Sequence, residues 1–198
     1  MARVSTTGGL MGASLSDFLD EVAAETRTPG GGAAAGLSLA IAAGLLAMAA
    51  RFSRSAWEDA PGMVAQAEAL RARVAALAAA NDDAYTAASR ALAGQTSARG
   101  RDAGIAVSLS RAVDVLLQIA EAASDVAELG AVVVDRGDAA FRADAVSATL
   151  LAEASARIAA NLVAINLGVT PDDERLERVQ SLAEVTSRAS ARARASAE

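Results

Sequence analysis

Few side chains in this sequence can do chemistry. Histidine and cysteine are both absent from the 198 residues. That removes the commonest general base, the commonest metal ligand and any thiolate nucleophile. Proton transfer must fall to Asp, Glu, Tyr or the substrate itself. The polar residues that interrupt apolar helical stretches are Asn81, Tyr85, Asp138, Asp144, Asn161 and Asn166. Asn81 and Tyr85 are four apart and share one helical face. Asp82 and Asp83 between them point elsewhere and read as solvated. Asp144 falls near a helix start, where an acid also simply compensates the dipole. Taken singly, each reads first as a hydrogen-bonded structural group.

The stretch around which these residues are organised is Thr28-Pro-Gly-Gly-Gly-Ala-Ala-Ala-Gly36. Pro29 and three consecutive glycines mark a turn. Ala33 to Ala50 then runs for 18 residues without a charge and reads as one helix. The turn thus presents backbone N–H groups at a helix N-terminus, and those donors favour an anion or a polar ligand edge. Three readings are open: an entry turn to a buried helix, a membrane span, or a ligand-binding turn on a core helix. The run reaches the ~18-residue length of a span. Its alanine content and the lack of Trp or Tyr belts speak against one, and the ligand-binding turn is preferred.

The surrounding elements are helical. The chain is 53% hydrophobic and 3% aromatic, with no lysine among its 18 basic residues. Alanine, the best helix former, dominates. Its small side chain buries little area, so a stable core needs many helix contacts or a second subunit. The net charge of −6, with both signs interspersed, argues against a nucleic-acid surface. Met1 to Met11 has no apolar leader region, which predicts a cytoplasmic protein.

Periodicity predicts six helices: from Ser14 to about Glu25, 33–53, Met63 to Leu92, Ile105 to Leu129, Phe141 to Leu167, and Pro171 to Ala189. Gly94 to Gly104 reads as a mobile loop. Val132 to Val134 reads as a helix end or connector, since no second strand is available. Trp57 reads as a packing anchor in the break between helices two and three. The fold class is all-α, an up-and-down bundle of about six helices. A flexible 1–13 segment precedes one domain over 14–190, and a fraying tail covers 191–198.

Several motifs in order resemble the formiminotransferase-cyclodeaminase/methenyltetrahydrofolate cyclohydrolase family. They are Phe18-Leu-x-x-Val22, Pro29-Gly-Gly-Gly32-Ala-Ala-Ala, Met48-Ala-Ala-Arg51-Phe-Ser53, Asn81-Asp-Asp-Ala-Tyr85, Gly137-Asp138 with Ala143-Asp144, and Val163-Ala-Ile-Asn-Leu167. The likeness spans about residues 15 to 185. Asn81 stands where the family usually has Asp, and Asp138 where it has Asn. Leu92-Ala-Gly-Gln95 replaces its Leu-Pro-Lys, and Leu162 takes the place of an Asn.

The resemblance implies a homodimer that binds folate in a cleft. It implies cyclohydrolase action on 5,10-methenyltetrahydrofolate or cyclodeaminase action on 5-formimidoyltetrahydrofolate with release of ammonia. A tetrahydrofolate derivative is then the substrate, with no metal, no nucleic acid and no membrane. Asp144 is the main carboxylate expected, with Asp82, Asp83 or Asp138 covering for the acid lost at Asn81. The substrate-binding set is Pro29, Gly30, Gly31, Gly32, Asn81, Tyr85, Asp138 and Asn166, and dimerisation is expected through helix 33–53. The alternative is a divergent member that binds a folate or another anion without turnover, or serves as a dimeric interaction protein.

Overall fold

Ser14 is a strong helix N-cap, and the structure uses it. Its Oγ accepts the Asp17 N–H at 3.1 Å, and Asp17 Oδ2 accepts the Ser14 N–H at 3.3 Å. Helix α1, Leu15–Ala23, follows. The computed structural model describes residues 10–26, 28–93, 98–168 and 173–197, and within these all side chains except those at 88, 91–93 and 98–106. Residues 1–9 and 94–97 lie outside the described residues, as do Pro171 and Asp172. Leu10–Gly12 forms a single 3-10 turn.

Five longer helices follow: α2 Gly31–Phe52, α3 Ala60–Ala93, α4 Ala98–Arg136, α5 Arg142–Asn166 and α6 Glu174–Ala195. Among the described residues there is no strand. The all-α class read from the sequence is the class observed, and the differences lie at the ends of elements. Helix α3 begins before Pro61, because a first-turn position needs no N–H. Residues 98–104, expected in a loop, are helical. Gly100 and Gly104 each cost about 1 kcal/mol in a helix, which a 39-residue helix packed on its neighbours absorbs. Val132 to Val134 finish α4, with Val133 and Val134 buried. The tail expected to fray from 191 instead continues α6 to Ala195. Ala193 is buried there, and Arg192 pairs with Glu128 of α4 at 2.7 Å.

Helix α4 lies at the centre, packed by α3, α5 and α6 and, less extensively, by α2. Around it the order is α3, α2, α5, α6, each touching the next. Contacts that pair rising with falling residue numbers (Gly32 on Asn81, Gly36 on Ala78 and Gly44 on Arg71; Gly31 on Leu162 and Ala35 on Ser155) show that α2 runs antiparallel to α3 and to α5. Small residues set the spacing. A Cβ on Gly36 would stand 2.7 Å from the Ala78 Cβ, so α2 and α3 meet at nearly backbone distance. Trp57 packs into the bundle end and donates to Asp59 at 3.4 Å, the anchoring role expected of it. Helix α1 is the exception, because none of its residues is buried.

The entry to α6 carries the strongest electrostatic perturbation. The Arg175 guanidinium donates to Asp173 at 2.7 and 2.9 Å and reaches across to Asp114 of α4 at 2.8 Å. Those bonds, with the Arg175 N–H, hold the Asp173 carboxyl down to about 2. The folded value lies below the ordinary one near 3.9, so this contribution is fully present above about pH 4 and is lost as pH falls through about 2. The pair is half-buried at the protein surface, where water still screens it, so the effect on global stability is small. Amide exchange at the start of α6 is expected to accelerate in that acid window, and Asp173→Asn should remove the pH dependence.

Candidate active site at the start of α2

The Pro29 to Gly32 bend does what its residue types dictate. The Thr28–Pro29 peptide bond is cis, and at the Gly30 N-cap no side-chain hydrogen bond caps the first turn of α2 among the described residues. Beside that turn lies a hollow of about 140 Å³, lined by Thr28, Gly30, Gly31, Gly32, Asn81, Asp82, Tyr85 and Leu162. Clefts for drug-sized ligands run to roughly 300–1,000 Å³, so this hollow has room for no more than one end of such a ligand. A wider open groove of about 680 Å³ between α3 and α4, around Leu70, Arg73 and Val132, contains none of the residues singled out from the sequence.

Asn81 is the residue that shapes the hollow. It is 2% exposed, and its Nδ2 has no hydrogen-bond partner among the described residues. A buried amide left so costs roughly 1–3 kcal/mol. Its Oδ1 stands where a Cβ on Gly32 would come within 2.0 Å, so only glycine lets this face of α3 close on α2. Tyr85, one turn on, donates to Asn166 Oδ1 at 3.0 Å and accepts from its Nδ2 at 2.8 Å, tying α3 to the last residue of α5. Thr28 and Thr86 hydroxyls sit 3.4 Å apart at the rim.

Asp82 differs from its sequence reading as a solvated group. It is half-buried and lines the hollow, because a residue three before Tyr85 is also a same-face neighbour on a helix. Asp83 is exposed and faces away. Among the described residues, no three Asp or Glu gather as a metal site would need.

The remaining two expected carboxylates are not in this hollow. Asp144 lies in the first turn of α5, 22 residues before Asn166, which is about 33 Å along a helix. Asp138 sits at that same far end, beyond the C-terminus of α2. There its Oδ1 caps a 3-10 turn by accepting the Ala140 N–H at 2.9 Å, while its own N–H donates to buried Ser53 at 2.8 Å. Within one chain the motifs therefore form two clusters at opposite ends of the bundle. The far cluster includes a stacked pair the sequence reading missed, Phe52 on Phe141 with ring centroids 3.9 Å apart. Beside it, Arg142 has a buried Nε with no hydrogen-bond partner among the described residues. The Met48–Ser53 and Gly137–Asp144 motifs were the available signal, since they bracket both phenylalanines.

The chain is thus an all-helical bundle whose most apolar helix starts beside a hollow lined by an amide, a carboxylate and a phenol. Its sequence belongs to the formiminotransferase-cyclodeaminase family, whose model matches residues 14–185. The structure is similar to the crystal structure of formiminotetrahydrofolate cyclodeaminase from Thermotoga maritima, with a TM-score of 0.83 and 24% identity. That match covers 93% of this chain and 95% of the other. No curated protein sequence matches it.

The hollow makes one expectation specific. A Cβ on Gly31 would touch only Leu162 Cδ1, at 3.6 Å, and the position is exposed. Gly31→Val should therefore fold normally, with helical circular dichroism unchanged, while its methyls occupy the mouth of the hollow. Binding of 5-formyltetrahydrofolate, followed calorimetrically, is expected to fall at least tenfold. Equal affinity would mean that the bend is purely structural.

Proposed function

We propose that this protein is a one-carbon folate enzyme, a methenyltetrahydrofolate cyclohydrolase or formimidoyltetrahydrofolate cyclodeaminase, that works as a homodimer. The observation that carries the reading is the hollow at the start of α2, in a chain of this family. There a buried amide with an unused donor and a half-buried carboxylate face the uncapped first turn of α2. The pterin edge offers both donors and acceptors to such a set, and the hollow's size suits that end of folate. The glutamate tail then extends outside.

Both reactions need one proton carrier and no metal, and Asp82 is placed for that task. In ring opening, water adds to the methenyl carbon and its proton passes to Asp82. That proton goes to N5 as the N5–carbon bond breaks, and the added hydroxyl releases its remaining proton to solvent as it becomes the carbonyl of 10-formyltetrahydrofolate. In cyclisation, N10 attacks the formimidoyl carbon, Asp82 takes the N10 proton, and ammonia leaves with it. General acid–base transfer of this kind contributes typically 10²–10⁴-fold. The test is loss of methenyltetrahydrofolate absorbance beside a formimidoyl assay for released ammonia. A rate no higher than spontaneous hydrolysis in both would remove the enzyme reading.

One observation favours a second reading. Asn81, the most deeply buried polar group of the hollow, is an amide and cannot take up a proton. A folate-binding protein without turnover would show thermal stabilisation by 5-formyltetrahydrofolate in the absence of either activity.

A further inference from the structure

The two atoms at the end of the Asn81 side chain stand differently in the hollow. Its Oδ1 lies on Gly32, where a Cβ would come within 2.0 Å, and its Nδ2 has no hydrogen-bond partner among the described residues. The residue is 2% exposed, so bulk water does not reach it. A buried donor without an acceptor is rare in folded proteins and calls for an explanation. Tyr85, one turn on, is already engaged at its hydroxyl by Asn166. Helix α2 adds a second feature of the same sign. It starts with no side-chain cap and no acid in its first turn, so the positive end of its dipole meets the hollow uncompensated.

We infer that Asn81 fits this hollow to an oxygen on the one-carbon unit, and so to hydrolysis of 5,10-methenyltetrahydrofolate in preference to ammonia release from 5-formimidoyltetrahydrofolate. The inference rests on the reading of the hollow as the folate site and chooses between its two reactions.

The choice follows from the lone pairs. In ring opening, the oxygen of the added water becomes a hydroxyl on the carbon and then the formyl carbonyl. A hydroxyl oxygen has two lone pairs and a proton. It accepts from Asn81 Nδ2 and still releases that proton. In cyclisation a nitrogen takes the same place. Before N10 attacks, the protonated formimidoyl nitrogen is a donor only, and it meets a donor. After the attack it has a single lone pair, and that pair must receive the proton from Asp82 before ammonia can leave. An amide N–H bonded to the same lone pair opposes the transfer.

Charge points the same way. Both substrates carry one positive charge on the one-carbon unit, so attraction to Asp82 acts alike on both. Hydrolysis discharges it, since the methenyl cation and water give a neutral formyl group and a proton. Deamination keeps it, since the protonated formimidoyl group gives the methenyl cation and ammonia. An uncompensated positive helix end favours the step that loses positive charge.

The test compares two values of kcat/KM on the wild-type protein. One is for methenyltetrahydrofolate hydrolysis above the spontaneous rate, and the other for ammonia release from 5-formimidoyltetrahydrofolate. Hydrolysis is expected to lead by at least about 10²-fold, well inside the ~10⁴–10⁵-fold that a site built around one hydrogen bond reaches. A ratio near one, or in favour of ammonia, would overturn the inference and leave the enzyme reading standing. Absence of both activities would remove that reading and the inference with it.

Asn81→Leu keeps the branched shape and loses the donor. Its hydrolysis rate should fall by about 10²–10³-fold, the usual cost of one donor aimed at a developing oxyanion. Its affinity for unsubstituted tetrahydrofolate, which brings no one-carbon oxygen, should equal that of wild type. Parallel loss of both would make Asn81 a packing residue and overturn the inference. The wild-type ratio needs no variant, so the test stands even if Asn81→Leu misfolds.

Discussion

Replacing Asp82 by alanine is expected to slow turnover of methenyltetrahydrofolate by about 10²–10⁴-fold, the typical range for losing a general acid–base group. The argument is geometric. Asp82 is the carboxylate that lines the hollow, together with Gly30 to Gly32 at the start of α2. Asp83, next to it, is exposed on the other side of α3. Asp83→Ala should therefore stay within about twofold of wild type, as surface substitutions away from such features do. The contrast separates a local proton carrier from a general effect of charge on an anionic ligand. If Asp82→Ala keeps full activity, proton transfer rests on a carboxylate elsewhere, and Asp144 of a second copy becomes the first candidate. An Asn at 82 should lose rate like the alanine, because an amide of the same shape restores packing but takes up no proton.

Asn81 extends that test. Changing it to Asp puts a second carboxylate beside the first in a site that is 2% exposed. Two acids at that distance share a proton, and one is held neutral well above its ordinary range. The variant reports whether the amide is a handicap or the natural partner of Asp82.

The sequence carried the local structure well. Ser14 with Asp17, Pro29 before three glycines, and Asp173 before Glu174 each specify an end of a helix through a backbone N–H that must be satisfied. Those ends are where such residues put them, with small shifts at α2, α3 and α6. What could not be read is which ends of the helices lie together. Asp144 and Asn166 belong to one helix, and a 25-residue helix is a rod, so motifs at its two termini cannot share a pocket in the same chain. Motif order gives no sign of that unless helix length is counted. Asp82 was misplaced for a different reason. The face shared by Asn81 and Tyr85 spans more than one stripe, and the i,i+3 neighbour belongs to it as well. The start of α4 was hidden because Gly100 and Gly104 are local signals for a loop, and tertiary packing overrides them. No pattern in the chain marked α1 as a helix without a fully buried residue, since Phe18, Leu19 and Val22 look like any core-facing stripe.

Gly36→Val is expected to destabilise the bundle markedly. The glycine sits where α2 crosses α3, and even a Cβ would come within 2.7 Å of the Ala78 Cβ and 3.0 Å of its Cα. The obstacle is the partner backbone and its first side-chain atom, so no rotamer change relieves it. The helices must move apart along a seam packed with alanine. Overpacking of this kind costs typically 1–3 kcal/mol, occasionally more. The cost is felt widely here, because α2 touches α3, α4 and α5 and each alanine contact is short-ranged. A loss of that size in a domain of this length lowers the melting temperature by roughly 2–4 °C per kcal/mol. Gly31→Val, five residues earlier on the same helix, should leave the melting temperature within about a degree of wild type on the same scale, because it meets only Leu162. The pair distinguishes two uses of glycine in one helix. At 36 it lets two backbones approach, and at 31 it leaves room for a ligand. Equal destabilisation by both substitutions would show that the start of α2 is packed as tightly as its middle, and the hollow would then have no claim to be a site.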